Sequence, residues 1–415
     1  MAQSVLGSLT FGYRPLWNRA RSLAGVRLHV HADDPGVDGL HILRTVEELW
    51  SAESPGLLLA SSSRELLAGL LGHATRADAA LEVPAAWLGD ATLRAAVRGA
   101  HARGAQLVLA GTPDELRPLE AERWAVRRAV QLTPTDAATA LQAARRARST
   151  AAGARMAGRA ADSPVGPDTL VDGVASRDLA EHALDQQGAW AVAGWPVEDM
   201  LHRYRGQPLP PTRRAIVQTM NALDAEQSLD RIELAFAQEP ALAYRLLIYL
   251  NSAGLGLRSG IASLRHGFMM LGFRTLNRWL AEQLTHASDD ASLRPVNTSI
   301  VVRSQLMHHL MDVGIEEDLR REIYLCGLFS QLDLVMDEPM RASLARIPLP
   351  DRIAMALLAD DGPYAPTLQV ACALESDDPA AVRALRQTYE MEPEDVNRAL
   401  LRTLAALGRQ GGGTA

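Results

Sequence analysis

His308, His309 and Asp312 come closest, in this sequence, to a catalytic spacing. His308 and Asp312 stand at i and i+4, so on a helix they share a face. An imidazole and a carboxylate held that way can bind a divalent metal and activate water for phosphoester hydrolysis. The same pair more often makes a surface ion pair or a helix cap. No His-Asp dipeptide, which would put both ligand types side by side, occurs in the chain. His266 and His286 stand alone. In the first half the candidate is Glu82, in Leu81-Glu82-Val83, where a strand would deliver a carboxylate. One carboxylate cannot hold two cations. Ser330 and Asp333, with no histidine at reach, are better explained by hydrogen bonding along a helix.

The chain contains no lysine, so all 42 basic residues are arginine. Walker-type phosphate loops, Schiff-base amines and lysine general bases are therefore excluded. Cys326 and Cys372 both lie in apolar helical patterns and supply neither a disulfide framework nor a zinc site; a reducing, cytoplasmic setting is the simplest expectation. A net charge of -7 argues against nucleic acid as a general partner. No apolar run approaches the roughly 18 residues of a membrane span, so no membrane insertion is expected.

The elements that must carry these residues divide the chain in two. Up to about Asp199 short apolar runs alternate with helical stretches. Strands are expected at Leu9–Pro15, Val26–Val30, Gly56–Ala60, Ala80–Val83, Gln106–Ala110, Ala129–Leu132, Leu170–Val174 and Ala189–Ala193. Eight strands with intervening helices predict a (β/α)8 barrel, with some connections so short that closure could be incomplete. The Ala-, Gly- and Arg-rich stretch 145–167 reads as a poorly ordered insertion. Beyond a linker at Arg205–Pro208 the helical period takes over. Pro240 opens a helix whose Leu242, Leu246, Leu247 and Leu250 form one stripe, and Asn251 and Gly254 are expected to end it in left-handed geometry. A helix is expected to run through Leu271-Gly272, with Met269, Met270, Phe273 and Trp279 in the core, although a Met-rich face can also serve promiscuous partners. Further helices are expected at Val296–Asp312, Glu316–Val335, Glu338–Ala345, Pro350–Ala359, Pro366–Glu375, Pro379–Tyr389 and Pro393–Leu407. Pro350, Pro379 and Pro393 suit first turns.

The order Glu239-Pro240-Ala241-Leu242, Asn251-Ser252-Ala253 and Leu271-Gly272 resembles the HDOD domain of bacterial signalling proteins. That domain is an all-helical relative of the HD phosphohydrolases that lacks their metal ligands. The first half resembles, in motif order, the EAL domain, a barrel phosphodiesterase that hydrolyses cyclic di-GMP with two divalent metals. Tyr13-Arg14-Pro15-Leu16 and Ala24-Gly25-Val26-Arg27-Leu28 fall where its opening and signature motifs belong. Val174-Ala175-Ser176 and Ala193-Gly194-Trp195 match its closing motifs. The resemblance implies that Arg27 replaces the signature glutamate and Ala60 or Ser61 the asparagine. It also implies that Ala110 and Gly111 replace paired aspartates, Gln131 a lysine and Ala175 a later glutamate. Only Glu82 keeps a ligand-type side chain.

Arg27 would put positive charge where a metal should sit, and an internal Arg27–Glu82 ion pair is the favoured reading. Asp172, three residues before Ala175, is expected to point to the other face of a regular strand, and Asp114 and Glu115 to cap a helix.

The expected fold class is therefore α/β plus all-α. Residues 1–200 form a degenerate EAL-type barrel, 201–410 an HDOD domain with C-terminal helices, and 411–415 a disordered tail. This architecture is similar to that of EAL/HDOD proteins of the modified HD-GYP family. It implies a cofactor-free, non-catalytic regulatory protein that binds other signalling proteins. Two alternatives are a non-hydrolytic cyclic di-GMP receptor, with Arg27, Glu82 and Gln131 at the barrel mouth, and a residual metal-dependent phosphohydrolase at His308, His309 and Asp312.

Overall fold

The computed structural model describes residues 4–34, 36–120, 123–151, 162–252, 260–311 and 316–411. They fall into two compact units, Met1–Asp199 with Cys372–Ala415, and Met200–Ala371.

In the first unit β1 (Leu9–Trp17), β2 (Leu23–Ala32), β3 (Gly56–Ser61), β4 (Ala80–Pro84), β5 (Leu107–Gly111), β6 (Arg127–Gln131), β7 (Leu170–Asp172) and β8 (Ala191–Ala193) close a barrel in sequence order. Closure is complete, against the expectation that short connections could leave a gap. The barrel also departs from (β/α)8 in direction, because β1 runs antiparallel to both β2 and β8. The cause is local. The Asn18 side chain accepts the backbone N–H groups of Ala20 and Ser22, which turns the chain within a few residues. A parallel return would need a dozen or more. The remaining neighbours from β2 to β8 pair in parallel.

The sequence assigns everything from 201 to 410 to the helical domain, and the structure corrects this. The helices Pro379–Thr388 and Pro393–Gly411 belong to the barrel unit. Asn397, buried, donates through Nδ2 to the carbonyls of Leu6 and Leu9 at 2.8 Å each. Gly12 of β1 gives room to the Ser376 carbonyl, and Gly408 to that of Glu53; a Cβ at either glycine would collide with that carbonyl. Periodicity shows that a helix has an apolar face, but not which surface will cover it.

In the second unit the helix Pro240–Leu250 buries Leu242, Leu246, Leu247 and Leu250 completely. Its end corrects the sequence reading, since Asn251 has φ −95° rather than left-handed geometry. Asn251 acts through its side chain instead, donating to the carbonyls of Leu247 and Ile261 and accepting the Ile261 N–H. Gly254 lies outside the described residues. Gly272, expected inside a continuous helix, has φ 69° and ψ 159° and breaks Leu264–Gln283 in two; only glycine adopts that conformation readily. The expected helix Glu316–Val335 is two, Glu317–Leu328 and Leu332–Met336. Pro350 precedes its helix as N-cap instead of lying in the first turn. Of the arginine-rich stretch, 152–161 lies outside the described residues, as does 412–415 of the tail.

Among the described residues no helix is long and apolar enough to cross a membrane.

Candidate functional site

Alternation along the strands sends every second side chain into the barrel. The inward positions Leu16, Leu58, Val108, Ala110, Ala129, Leu170, Ala191 and Ala193 pack as one buried cluster. Most of them are small, so the lumen has room for a few long side chains. Register supplies these at the next level. Arg27 pairs in register with Leu58 and Arg14, Glu82 with Val108, and Asp172 with Gln131, two positions beyond Ala129.

The four charged groups meet. Arg27 donates through one guanidinium nitrogen to Glu82 Oε1 and through the other to Asp172 Oδ2, the latter at 2.6 Å. Arg14 donates to Asp172 Oδ1 at 3.2 Å. The Arg27–Glu82 ion pair suggested by the sequence therefore forms. The expectation for Asp172 is overturned, because its carboxylate turns toward Arg27 and Arg14. The strand ends at Asp172, and Gly173 at φ 79° redirects the chain. Strand alternation does not continue to Ala175, which lies exposed beyond it. The Asp-Gly dipeptide was the sequence signal for this turn.

Burial pushes the Glu82 carboxyl up, with Arg27 opposing. Burial works against the charge on Asp172 too, but Arg27, Arg14 and the Gly173 N–H outweigh it and hold the group below the usual carboxylate range. Burial also opposes the charge on Arg27, yet Glu82 and Asp172 more than compensate and raise its pKa. Next along β2, His29 is pushed down to about 4 by burial and by the charge of Arg27, so it is neutral near pH 7. Asp377, from the C-terminal segment, lies 3.8 Å from Arg14. The sequence reading missed the parts played by Arg14, His29 and Asp377, which depend on pairing distant segments.

The other positions carried from the resemblance bring no ligand. Ser61 ends β3 and its hydroxyl bonds the Ser63 carbonyl at 3.0 Å. Ala110 and Gly111 end β5, and Gly111 packs close to Glu115 and Ala85. Gln131 ends β6 and is exposed. Glu115 and Thr112 form a capping box, and Asp114 pairs with Arg117 at 2.8 Å. A pair of divalent cations does not suit this donor set. Both Asp172 oxygens and one Glu82 oxygen are taken by guanidinium groups, and a fixed cation stands between the carboxylates.

In the helical unit the rings of His308 and His309 stack at 5.6 Å between centroids, and Asp312 lies outside the described residues. Among the described residues no group of three or more His, Cys, Asp or Glu side chains is placed to hold a metal. Ser330 hydroxyl bonds the Gly327 carbonyl at 2.7 Å, a contact within its own helix end.

Glu239 is the buried acid of this unit. Its carboxyl receives the Thr212 hydroxyl, the Thr212 N–H at 3.3 Å and Asn297 Nδ2 at 3.0 Å. Burial raises its pKa to about 7. The folded state therefore keeps a proton that the unfolded chain gives up above its ordinary value of 4.5. Stability contributed by this group is full below that value and falls as pH rises toward 7, by about 3 kcal/mol in all. Denaturant midpoints measured from pH 5 to 8 should show this fall, and Glu239→Gln should flatten it. A wild-type slope unchanged by that substitution would refute the assignment.

An eight-stranded barrel joined to a helical unit is the class that fold and site define. No protein-family model matches the chain. It is 28% identical over 174 residues to the cyclic di-GMP phosphodiesterase CdgJ of Vibrio cholerae, which covers 41% of this chain and 40% of that protein. It is 24% identical over 163 residues to the uncharacterized protein YuxH of Bacillus subtilis, covering 38% of this chain and 39% of that one. The matched segments thus span about two fifths of each relative's length. The solved MmoQ response regulator from Methylococcus capsulatus aligns with a TM-score of 0.37 and 17% identity, over 47% of this chain and 98% of that one, a likeness too distant to bear on function.

Proposed function

We propose that this chain is a non-catalytic signalling protein, an EAL-type barrel that has lost its metal site joined to an HDOD-type helical unit that acts as a protein-interaction adaptor. The observation that carries this reading is Arg27, whose guanidinium bridges Glu82 and Asp172 where a two-metal phosphodiesterase would need its cations. Similarity to a relative named for cyclic di-GMP hydrolysis supports the signalling context. The departures at Ser61, Ala110, Gly111, Gln131 and Ala175 support the loss of chemistry. A helical unit with a completely buried leucine stripe supports a module kept for its surface, with other signalling proteins as partners.

The test is turnover of cyclic di-GMP by the full chain with magnesium or manganese, beside metal analysis of the purified protein. The expected result is no hydrolysis and no stoichiometric metal. Hydrolysis that is lost on Glu82→Gln would overturn the reading in favour of a barrel enzyme, and hydrolysis that is lost on His308→Ala in favour of a phosphohydrolase in the helical unit. Calorimetric titration with the same nucleotide separates the receptor alternative. Because Arg14 and Arg27 are already engaged by carboxylates, no heat is expected at roughly ten-micromolar affinity. Heat without turnover would instead establish a nucleotide receptor.

A further inference from the structure

The sequence places Met269, Met270 and Phe273 in the core with Trp279. The structure buries Trp279 but leaves Met269 64%, Met270 52% and Phe273 37% exposed. These three flank the break at Gly272, where the helical register changes and where a side chain would find no neighbouring atom within 4 Å of its Cβ. Phe273 also lines an open groove of about 570 Å³ formed with the helix Arg213–Asp224, together with Met220, Asp224, Arg274 and Arg278. On that second helix Val217 lies three residues before Met220 and is itself 41% exposed. Large apolar side chains gathered on one face mark an interaction surface, and methionine adapts well to a partner.

The polar rim of the groove carries both signs of charge. Arg274 and Arg278 stand one turn apart on one side, and Asp224 and Glu226 lie on the other. Asp224 accepts Asn277 Nδ2 at 2.6 Å. Among the described residues the side chains of Arg274, Arg278 and Glu226 have no hydrogen-bond or ion-pair partner. A partner of one sign would satisfy one side of the rim and repel the other. A two-fold arrangement of identical faces satisfies both, because each residue of one copy meets its counterpart's opposite.

We propose that this face is a homodimer interface, with a second copy of this chain as its occupant. Phe273 and Met220 form its apolar centre, with the exposed Met269 and Met270 adjoining Phe273 in the chain, and Arg274 and Arg278 of each copy meet Glu226 and Asp224 of the other. The proposal does not depend on the barrel's chemistry.

Sedimentation equilibrium of the full chain, from about 1 to 200 µM, tests it. The apparent mass is expected to climb from the 44.8 kDa of one chain toward twice that value. Met270→Glu with Phe273→Glu should remain at the single-chain mass throughout, while a retained cooperative thermal transition shows that the variant still folds. Glu226→Arg alone, and Arg274→Glu with Arg278→Glu alone, should each weaken dimerisation by about tenfold or more, and mixing the two variants should recover it. A wild-type protein that stays monomeric to the highest concentration overturns the proposal and leaves the face to a different protein. Dimerisation that survives Met270→Glu with Phe273→Glu overturns it as well, by placing the contact elsewhere.

Discussion

A fragment ending at residue 200 is expected to be recovered unfolded or aggregated, although it contains all eight strands of the barrel. The helix Pro393–Gly411 buries Val396, Leu400, Leu401 and Leu404 almost completely. Each such side chain contributes about 1.5–3 kcal/mol when removed from water, so the four together approach about 6–12 kcal/mol. That is comparable with the whole stability of an ordinary domain, about 5–15 kcal/mol. The loss would not stop there, because the Leu6 and Leu9 carbonyls would give up their Asn397 donor, and each unsatisfied group costs about 1–3 kcal/mol if it stays buried. Circular dichroism and size-exclusion chromatography of the fragment beside the full chain provide the check. A monodisperse fragment with a cooperative thermal transition matching that of the full chain's barrel would refute the assignment of these helices. Asn397→Ala in the full chain is the milder form of the same experiment, with an expected loss of about 2 kcal/mol.

Removing Arg27 should be the most damaging single substitution in the lumen. Among the described residues, Arg27→Met leaves Glu82 without a guanidinium partner and Asp172 with that of Arg14. The side chains of Arg27 and Glu82 are 12% and 7% exposed, so little water can replace the lost partner. Breaking a buried pair on one side costs about 3–5 kcal/mol, much of it the penalty of a stranded charge. The double change Arg27→Met with Glu82→Gln should recover a large part of that loss, because the stranded carboxylate goes with its cation. Guanidinium chloride unfolding of the wild type and the two variants measures both quantities. Equal destabilisation by the single and double changes would show that Arg27 contributes by packing and not by pairing.

These expectations bear on how buried charges are compensated inside a closed barrel. In a lumen lined by alanine, valine and leucine, an unpaired carboxylate would be stranded. Here Arg27 extends from β2 to Glu82 in the middle of β4 and Asp172 at the end of β7 and pairs with both acids, so the barrel interior is charge-compensated. The Glu239 carboxyl shows the opposite solution. Among the described residues no cation faces it, and burial outweighs the Thr212 and Asn297 donors that favour the carboxylate, so it is held as the acid and its contribution depends on pH.

Much of this was legible in order and spacing. All eight strand positions overlapped the observed ones, since short apolar runs bounded by turn residues leave few alternatives. The Arg27–Glu82 pair was also legible, through the resemblance, which put both residues at one barrel centre. Asp172 was misjudged because strand alternation was extended past Gly173, and the Met269, Met270 and Phe273 face because an apolar residue type was taken for a buried one.

Composition and local pattern by themselves determined that strands give way to helices near Asp199 and that the chain carries no lysine. Those properties depend on residue type and on neighbours within a few positions. Only the tertiary structure decided that β1 runs against its neighbours, that the last two helices complete the barrel unit, and that Arg14, Arg27, Glu82 and Asp172 share one charge-balanced layer. The β1–β2 reversal rests on the local Asn18 turn, whereas the other two join segments tens to hundreds of residues apart. Such pairings are selected by the fit of whole surfaces and by the cost of leaving charge or carbonyls uncompensated, quantities that no local stretch of sequence contains.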